Sequence, residues 1–165
     1  MEFGEARNRF LEAWGSLGSS WGINHTMAQI HALLLISTDA LSTEDVMREL
    51  EISRGNANMN LRSLVEWGLL YKVKRIGERK EYFAAKQDIW EVARQIARER
   101  RKRELEPVIE LMNEIGGVNG ESADHEHFQY MTKQIADFAS QTSEMLEVFS
   151  KRDIKWFSRL LKKLK

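Results

Sequence analysis

The spacing of apolar residues along the chain predicts a mainly helical protein. Residues 2–21 place apolar side chains, several of them aromatic, at intervals of three and four, which predicts an amphipathic helix. Gly15 and Gly18 lie within this helix and permit close packing by a second one. Residues 26–36 are apolar over most of their surface and predict a core helix, for which Asn24 is the expected N-cap.

Two shorter helices are predicted next, each opened by a capping residue. Ser42 and Asp45 match a capping box, in which a hydroxyl and a carboxylate satisfy free backbone N–H groups at the start of a helix. Ser53 is the expected N-cap of the following helix, which ends near Gly68. The buried face of this helix is predicted to carry Ala57, Leu61 and Leu64.

The pattern changes to a period of two at residue 69. Residues 69–75 alternate as a strand, with Tyr71 and Val73 on one face. Gly77 marks a turn, and residues 81–83 begin the returning strand. Three helices followed by a hairpin are the winged helix-turn-helix arrangement.

The rest of the chain returns to helical spacing. Residues 87–115 predict a long helix that Pro107 kinks or divides, and residues 116–120 predict a loop. A coiled-coil type of spacing then runs through Phe128, Met131, Ile135, Phe138, Thr142, Met145 and Phe149. A last basic helix is expected over residues 153–165.

The predicted fold is therefore mainly α with a small β-hairpin wing. Residues 1–22 are expected to form a helix for dimer packing, 23–86 a winged helix-turn-helix DNA-binding domain, and 87–165 a helical dimerisation region that could also receive an effector. A helix of 29 residues would be about 43 Å long. A compact chain of 165 residues has a radius of gyration of only about 15 Å. Long helices with apolar stripes thus predict a homodimer.

Charge is segregated along the chain although the net charge is zero, with 25 basic and 25 acidic residues. Residues 52–80 carry seven basic and two acidic side chains, whereas residues 104–150 carry one basic and ten acidic ones. The basic segment coincides with the predicted third helix and wing. A neutral total therefore does not exclude nucleic acid as a ligand.

Other features exclude several classes of protein. The absence of cysteine excludes disulfides and thiolate chemistry. No apolar run approaches the ~20 residues of a membrane span, and the acidic N-terminus is unlike a signal peptide, so a cytoplasmic protein without a membrane partner is expected. His125 and His127 do not share a helix face, and no nucleophile motif or phosphate loop is present. We therefore expect no enzyme, no cofactor and no metal site.

The helix after Ser53 presents polar side chains on the side opposite its apolar face. The outward positions are Gly55, Asn58, Met59, Arg62 and Glu66, with Asn56 and Ser63 on one flank. In a major groove, asparagine pairs with adenine and arginine with guanine. Gly55 would let phosphate approach the free N–H groups at the helix start. A solvated polar face is the alternative interpretation.

The hairpin adds a second basic cluster. Its cations are Lys72, Lys74, Arg75, Arg79 and Lys80, with Glu78 as a lone acid at the tip. Cations on a wing would neutralise DNA phosphates and make binding depend on salt. Lysines that protect an edge hairpin from aggregation are the alternative. The basic balance of residues 52–80 favours DNA.

A further basic run covers Arg94 and residues 98–103. It could flank the DNA backbone or pair with the acidic segment 104–150 of the same or the partner chain. We favour pairing.

An ordered combination of short segments resembles the GbsR branch of the MarR-like winged-helix repressors. The segments are residues 22–23, 32–37, 52–56, 59–64, 66–69 and 77–83, and the resemblance spans about residues 5–115. It implies a homodimeric transcriptional regulator whose terminal helices form the dimer and whose recognition helix and wing contact DNA. Some members respond to choline and control glycine betaine synthesis or uptake.

By this resemblance, DNA contacts fall on particular positions of the helix and the wing. They are Ser53, Arg54, Asn56, Asn58, Met59 and Arg62 of the helix, and Arg79 and Lys80 of the wing. Asn58 stands where the family pattern has a small serine, a difference that bears on operator sequence rather than on DNA binding. No effector-contacting residues can be assigned, so a small-molecule effector is an expectation from the family alone.

The sequence thus predicts a cytoplasmic DNA-binding transcriptional regulator, a repressor, whose partners are double-stranded DNA and a second copy of itself. The alternative is a winged-helix protein–protein interaction module that binds an acidic partner. Sequence-specific duplex binding distinguishes the two.

Overall fold

The computed structural model describes residues 1–20 and 22–151, and it divides into two compact units at residues 92 and 93. Trp21 and the predicted basic helix over residues 153–165 lie outside the described residues. The helices are α1 (Phe3–Ser20), α2 (His25–Ile36), α3 (Thr43–Leu50), α4 (Arg54–Glu66), α5 (Ile89–Arg100), α6 (Glu106–Ile115) and α7 (Ala123–Lys151). The strands are β1 (Leu41–Ser42), β2 (Leu70–Val73) and β3 (Tyr82–Ala85). None of the described helices is long and apolar enough to cross a membrane.

The first unit combines α1–α4 with a three-stranded antiparallel sheet of order β1-β3-β2. Helix α2 is the centre of this unit because it packs against α1, α3, α4 and β3. The largest fully buried side chains of the unit are Ile30, Leu33, Leu34, Val46, Leu61, Leu64 and Val92. The order of helices and hairpin confirms the predicted winged-helix fold.

The predicted capping residues begin their helices as expected. The Asn24 side chain accepts a hydrogen bond from the Met27 N–H at 3.1 Å, and α2 follows. Ser42 and Asp45 form the complete capping box, in which the Asp45 carboxylate accepts from the Ser42 N–H at 2.9 Å. Ser42 and Arg48 hydrogen bonds lower the pKa of Asp45 to about 2, so the box keeps its charge.

Strand β1 was not predicted. It has only two residues, and it pairs antiparallel with β3 by placing Leu41 opposite Phe83 and Ser42 opposite Tyr82. Two residues are too few to show alternation, so the third strand is visible only in the fold. The predicted strand over residues 69–75 is shorter in the structure, where β2 ends at Val73.

Small residues allow α1 and α2 to approach closely, as predicted. Gly15 and Gly18 are both buried in α1. A Cβ atom at Gly18 would lie 2.5 Å from the Ala28 Cβ of α2, and one at Gly15 would lie 2.7 Å from the His25 ring. The two glycines therefore set the separation of these helices.

In the second unit, a π-helical turn over Arg101–Leu105 precedes α6. Its signature is the Glu106 N–H, which donates to the carbonyl of Arg101 five residues earlier. Pro107 follows in the first turn of α6, and it has no N–H to donate to the π-helical turn that precedes it. The backbone stays helical from Ile89 to Ile115, so Pro107 does not divide the predicted helix; the irregularity there is the π-helical turn directly before it.

Helix α7 buries small residues and exposes large ones. Its buried residues are Thr132, Ala136, Ala139, Ser143 and Ser150, and the helix packs on α6 and the π-helical turn. The residues with coiled-coil spacing, Phe128 to Phe149, form an apolar seam on another face of α7. Within this seam Phe138 is 70% exposed and Met145 is 71% exposed.

The basic run before α6 pairs with acidic residues of its own chain, as favoured from the sequence. Arg101 lies 3.3 Å from Glu106 and 3.6 Å from Glu147, and it also donates to the Ser143 hydroxyl. Arg100 lies 3.6 Å from Glu104. Much of the positive charge of this run is therefore used inside the second unit.

We expect the Gly18→Ala variant to lower the free energy of unfolding by about 1–3 kcal/mol, because the added methyl group forces α1 and α2 apart. Gly4→Ala is the matched control: it lies in the same helix, nothing lies within 4 Å of its Cβ, and it should be neutral or slightly stabilising. Urea denaturation of both variants measures the difference. Equal stability of the Gly18 variant and the wild type would contradict this account of the packing.

Candidate nucleic-acid interface

Helix α4 is oriented by its buried face. Ala57, Leu61 and Leu64 are all but fully buried, which turns the opposite side of the helix to solvent. The exposed residues of the predicted contact set are Ser53, Arg54, Met59 and Arg62, while Asn56 and Asn58 are half-buried at the edge. All six predicted helix positions are therefore at least partly accessible, with Asn56 and Asn58 on opposite flanks of the exposed side.

The first turn of α4 is open to a ligand. The Ser53 hydroxyl accepts from the Asn56 N–H at 3.3 Å and so caps the helix. Gly55 is exposed, and nothing lies within 4 Å of the position that a Cβ would take there. Backbone N–H groups at such a helix start favour an anion, and Gly55 leaves space for a phosphate to approach.

Two asparagines of this surface are held by hydrogen bonds. The buried Asn60 amide nitrogen donates to the Asn56 carbonyl oxygen at 2.9 Å and to Asn56 Oδ1 at 2.7 Å. The Thr43 hydroxyl donates to Asn58 Oδ1 at 3.3 Å. The contacts of Asn60 and Thr43 were not predicted from the sequence. The four-residue spacing of Asn56 and Asn60, which places them on one helix face, was a signal for the contact between those two residues.

The wing, formed by β2, β3 and the turn between them, carries the predicted cations. Lys72, Lys74, Arg75, Arg79 and Lys80 are all exposed. Lys72 is paired across the hairpin with Glu81 at 2.7 Å. At the tip, Ile76 is fully exposed beside the cations, a feature that the sequence analysis did not single out.

Arg75 differs from the other wing cations because it is held against the domain. Its guanidinium donates to the carbonyl of Ala40 at 3.1 Å and lies 3.9 Å from the centre of the Tyr82 ring. The Tyr82 hydroxyl donates to the Glu78 carboxylate, which raises the pKa of the tyrosine. Arg75 thus fixes the base of the wing in addition to adding positive charge.

Glu44 connects the start of α4 with the wing. Its carboxylate lies 3.1 Å from the Arg54 guanidinium and 3.9 Å from the Lys80 amine. A hydrogen bond from its own backbone N–H, together with Arg54 and Lys80, holds the pKa of Glu44 below its usual value. A single ionised carboxylate therefore lies between two cations, one from the start of α4 and one from the wing. A DNA phosphate could take the place of this carboxylate as the anion between them.

The histidines contribute no comparable site. His31 is buried in α2, where burial lowers its pKa to about 4 and Nε2 has no hydrogen-bond partner. His125 Nε2 lies 2.5 Å from the Val118 carbonyl and helps to hold the loop before α7. Across residues 1–20 and 22–151, no group of three or more His, Asp or Glu side chains is arranged to hold a metal ion.

Comparison with known proteins identifies the domain that carries this surface. Residues 21–81 match the MarR family. The matched segment includes α2, the whole of α4 and most of the wing, so the part of the chain that carries this surface is similar to the MarR family. A solved structure described as a transcriptional regulator superposes with a TM-score of 0.62 at 19% identity, covering 89% of this chain and 99% of that chain. No curated protein sequence matches the chain.

We expect Glu44→Gln to increase affinity for duplex DNA of random sequence about two- to five-fold, because Arg54 and Lys80 would no longer have to leave a carboxylate before they bind phosphate. Glu66→Gln is the control, since it removes the same charge from the far end of α4. Fluorescence anisotropy with a labelled random duplex measures both variants. The same gain in both would show that net charge alone was responsible.

Proposed function

We propose that this protein is a DNA-binding transcriptional regulator that acts through α4 and the wing. The observation that carries the proposal is the joint contact of Glu44 with Arg54 and Lys80, because it requires the start of α4 and the wing to be neighbours. Polar groups able to meet base edges thus lie next to cations able to meet phosphates. The MarR-family match over residues 21–81 supports the same function.

In this proposal α4 enters the major groove while the wing follows the DNA backbone. Arg62 and Asn58 on the outer side of α4 would meet base edges, and Met59 would contact a thymine methyl group. Arg79 and Lys80 would neutralise phosphates. This division assigns specificity to the helix and most of the affinity to the charged wing.

We propose a homodimer in which the apolar seam of α7 packs against a second copy of the chain. The support is the exposure of the seam, whose members recur every three or four residues over most of α7. Large apolar side chains exposed in a row mark an interaction surface. Two winged helices in one dimer would read half-sites about 34–36 Å apart, one turn of DNA.

We further propose that the protein belongs to the GbsR-type branch and represses its target genes. The support is the ordered set of segments between residues 22 and 83 that resembles that branch, together with the MarR-family match over the same region. A small-molecule effector is proposed from the family alone, with no residues assigned to it.

We expect the double variant Arg79→Ala/Lys80→Ala to weaken binding to all duplexes and to make it less dependent on salt. The slope of log affinity against log salt should fall by about 0.9 for each phosphate that the wing no longer neutralises. Lys102→Ala/Lys133→Ala removes two exposed cations from the second unit and is the matched control. Anisotropy titrations at several salt concentrations, with a selected operator and a random duplex, measure the slopes. If the wild type and both double variants bind DNA less tightly at high salt but show no preference for the selected operator, the result would favour the alternative function, a winged-helix protein–protein interaction module.

We expect Phe138→Glu to convert the dimer to a monomer at micromolar concentration, because it places a charge in the middle of the seam. Lys133→Glu lies on the opposite side of α7 from the seam and should leave the dimer intact. Size-exclusion chromatography with light scattering measures the mass. A monomeric wild type would overturn the proposed dimer, whatever the variants do.

A further inference from the structure

We infer that Asn60 is a positioning residue that turns the Asn56 amide so that only its NH₂ group faces the DNA, and that Asn56 consequently selects guanine. This inference rests on the proposed function, since it concerns how α4 would read a base. It differs from the adenine pairing that an unconstrained asparagine favours.

The orientation of Asn60 is fixed by the backbone. Asn60 is only 3% exposed, and one atom of its side-chain amide lies 2.9 Å from the Asn56 carbonyl oxygen. A backbone carbonyl can only accept a hydrogen bond, so the Asn60 atom that faces it must be the nitrogen. The buried amide therefore has one permitted orientation.

The orientation of Asn56 follows from that of Asn60. The same Asn60 nitrogen lies 2.7 Å from the side chain of Asn56, and a nitrogen donor requires an acceptor there. The inward atom of the Asn56 amide is therefore its oxygen. If Asn56 turned over, its NH₂ group would face that of the buried Asn60, which would leave an Asn60 donor without a partner.

With its oxygen turned inward to Asn60, Asn56 presents its NH₂ group as the outward end of the amide. Bidentate pairing with adenine needs both an acceptor and a donor from the asparagine, because adenine offers N7 and an N6 amino group. Guanine offers only acceptors on this edge, N7 and O6, and an outward NH₂ group can donate to either of them. Cytosine presents an amino donor in the major groove and is the worst match.

The neighbours of Asn56 reinforce this preference. Arg54 and Arg62 are exposed on the same helix and can only donate. Asn58 also has its oxygen engaged, by the Thr43 hydroxyl at 3.3 Å. The two arginines and the outward NH₂ group of Asn56 therefore present donors to the groove, and the half-site that fits them is rich in guanine acceptors.

The test is in vitro selection from a randomised duplex library with the full chain and three variants. We expect the wild type to enrich a guanine at one position of each half-site. The Asn56→Asp variant should enrich cytosine at that position instead, because aspartate keeps the acceptor toward Asn60 and presents a second acceptor outward. The Asn56→Asp variant should lose about ten-fold or more in affinity for the wild-type operator. Asn56→Ala should lose affinity without gaining cytosine preference.

Asn60→Leu tests the positioning role. It frees the Asn56 amide to turn, so adenine should become as acceptable as guanine at that base pair while the other positions of the motif stay unchanged. A residue with a merely structural role would weaken binding without changing the preferred base. If Asn60→Leu does not fold, as judged by thermal unfolding, the Asn56→Asp exchange still decides, because Asn56 lies at the surface and keeps its hydrogen bond.

The outcomes separate this inference from the proposed function. A wild type that enriches no sequence would overturn both. A wild-type motif that places adenine at the position sensitive to Asn56, or an Asn56→Asp motif identical to that of the wild type, would overturn this inference and leave the proposed function standing.

Discussion

The packing of α4 on α2 is the constraint on which the proposed interface depends. Leu61 and Leu64 are each 1% exposed, and full burial of a leucine is worth about 1.5–3 kcal/mol. A rotation of α4 by one residue position, about 100°, would move Met59 or Arg62 toward the core and lose that stabilisation. The polar face is therefore directed outward by the apolar one, and its groups are in place before any ligand is bound.

The sequence predicted the features that are local. Ser42 and Asp45 form their capping box and Ser53 caps α4, because a cap depends on residues within one turn. The sequence did not predict β1, which has two residues, or the contacts of Glu44, which join α3, α4 and the wing. Those contacts arise only when distant segments meet, so no spacing along the chain records them. The general pairing of asparagine with adenine considers each asparagine alone, whereas Asn56 is held by its buried neighbour Asn60.

The charge segregation has different consequences in the two units. In the second unit Arg101 meets Glu106 and Glu147, and the hydrogen bond from Lys151 together with Arg101 lowers the pKa of Glu147. Opposite charges of the second unit thus form ion pairs with each other. In the first unit the cations of residues 52–80 have far fewer acids within the same segment, and Glu44 provides one of the counter-charges from α3. A zero net charge is therefore compatible with a strongly positive surface on one domain.

The packing of a single chain does not explain which side chains helix α7 buries and which it exposes. It buries Ala136 and Ala139 and leaves Phe138 and Met145 exposed, although burial of the larger side chains would remove far more apolar area from water. Small residues on the inner face let α7 lie close to α6 and the π-helical turn, which is a reason for alanine there. It gives no reason for phenylalanine and methionine on the seam. A second copy covering the seam would supply that reason, because the area left unburied within one chain would then be buried between two.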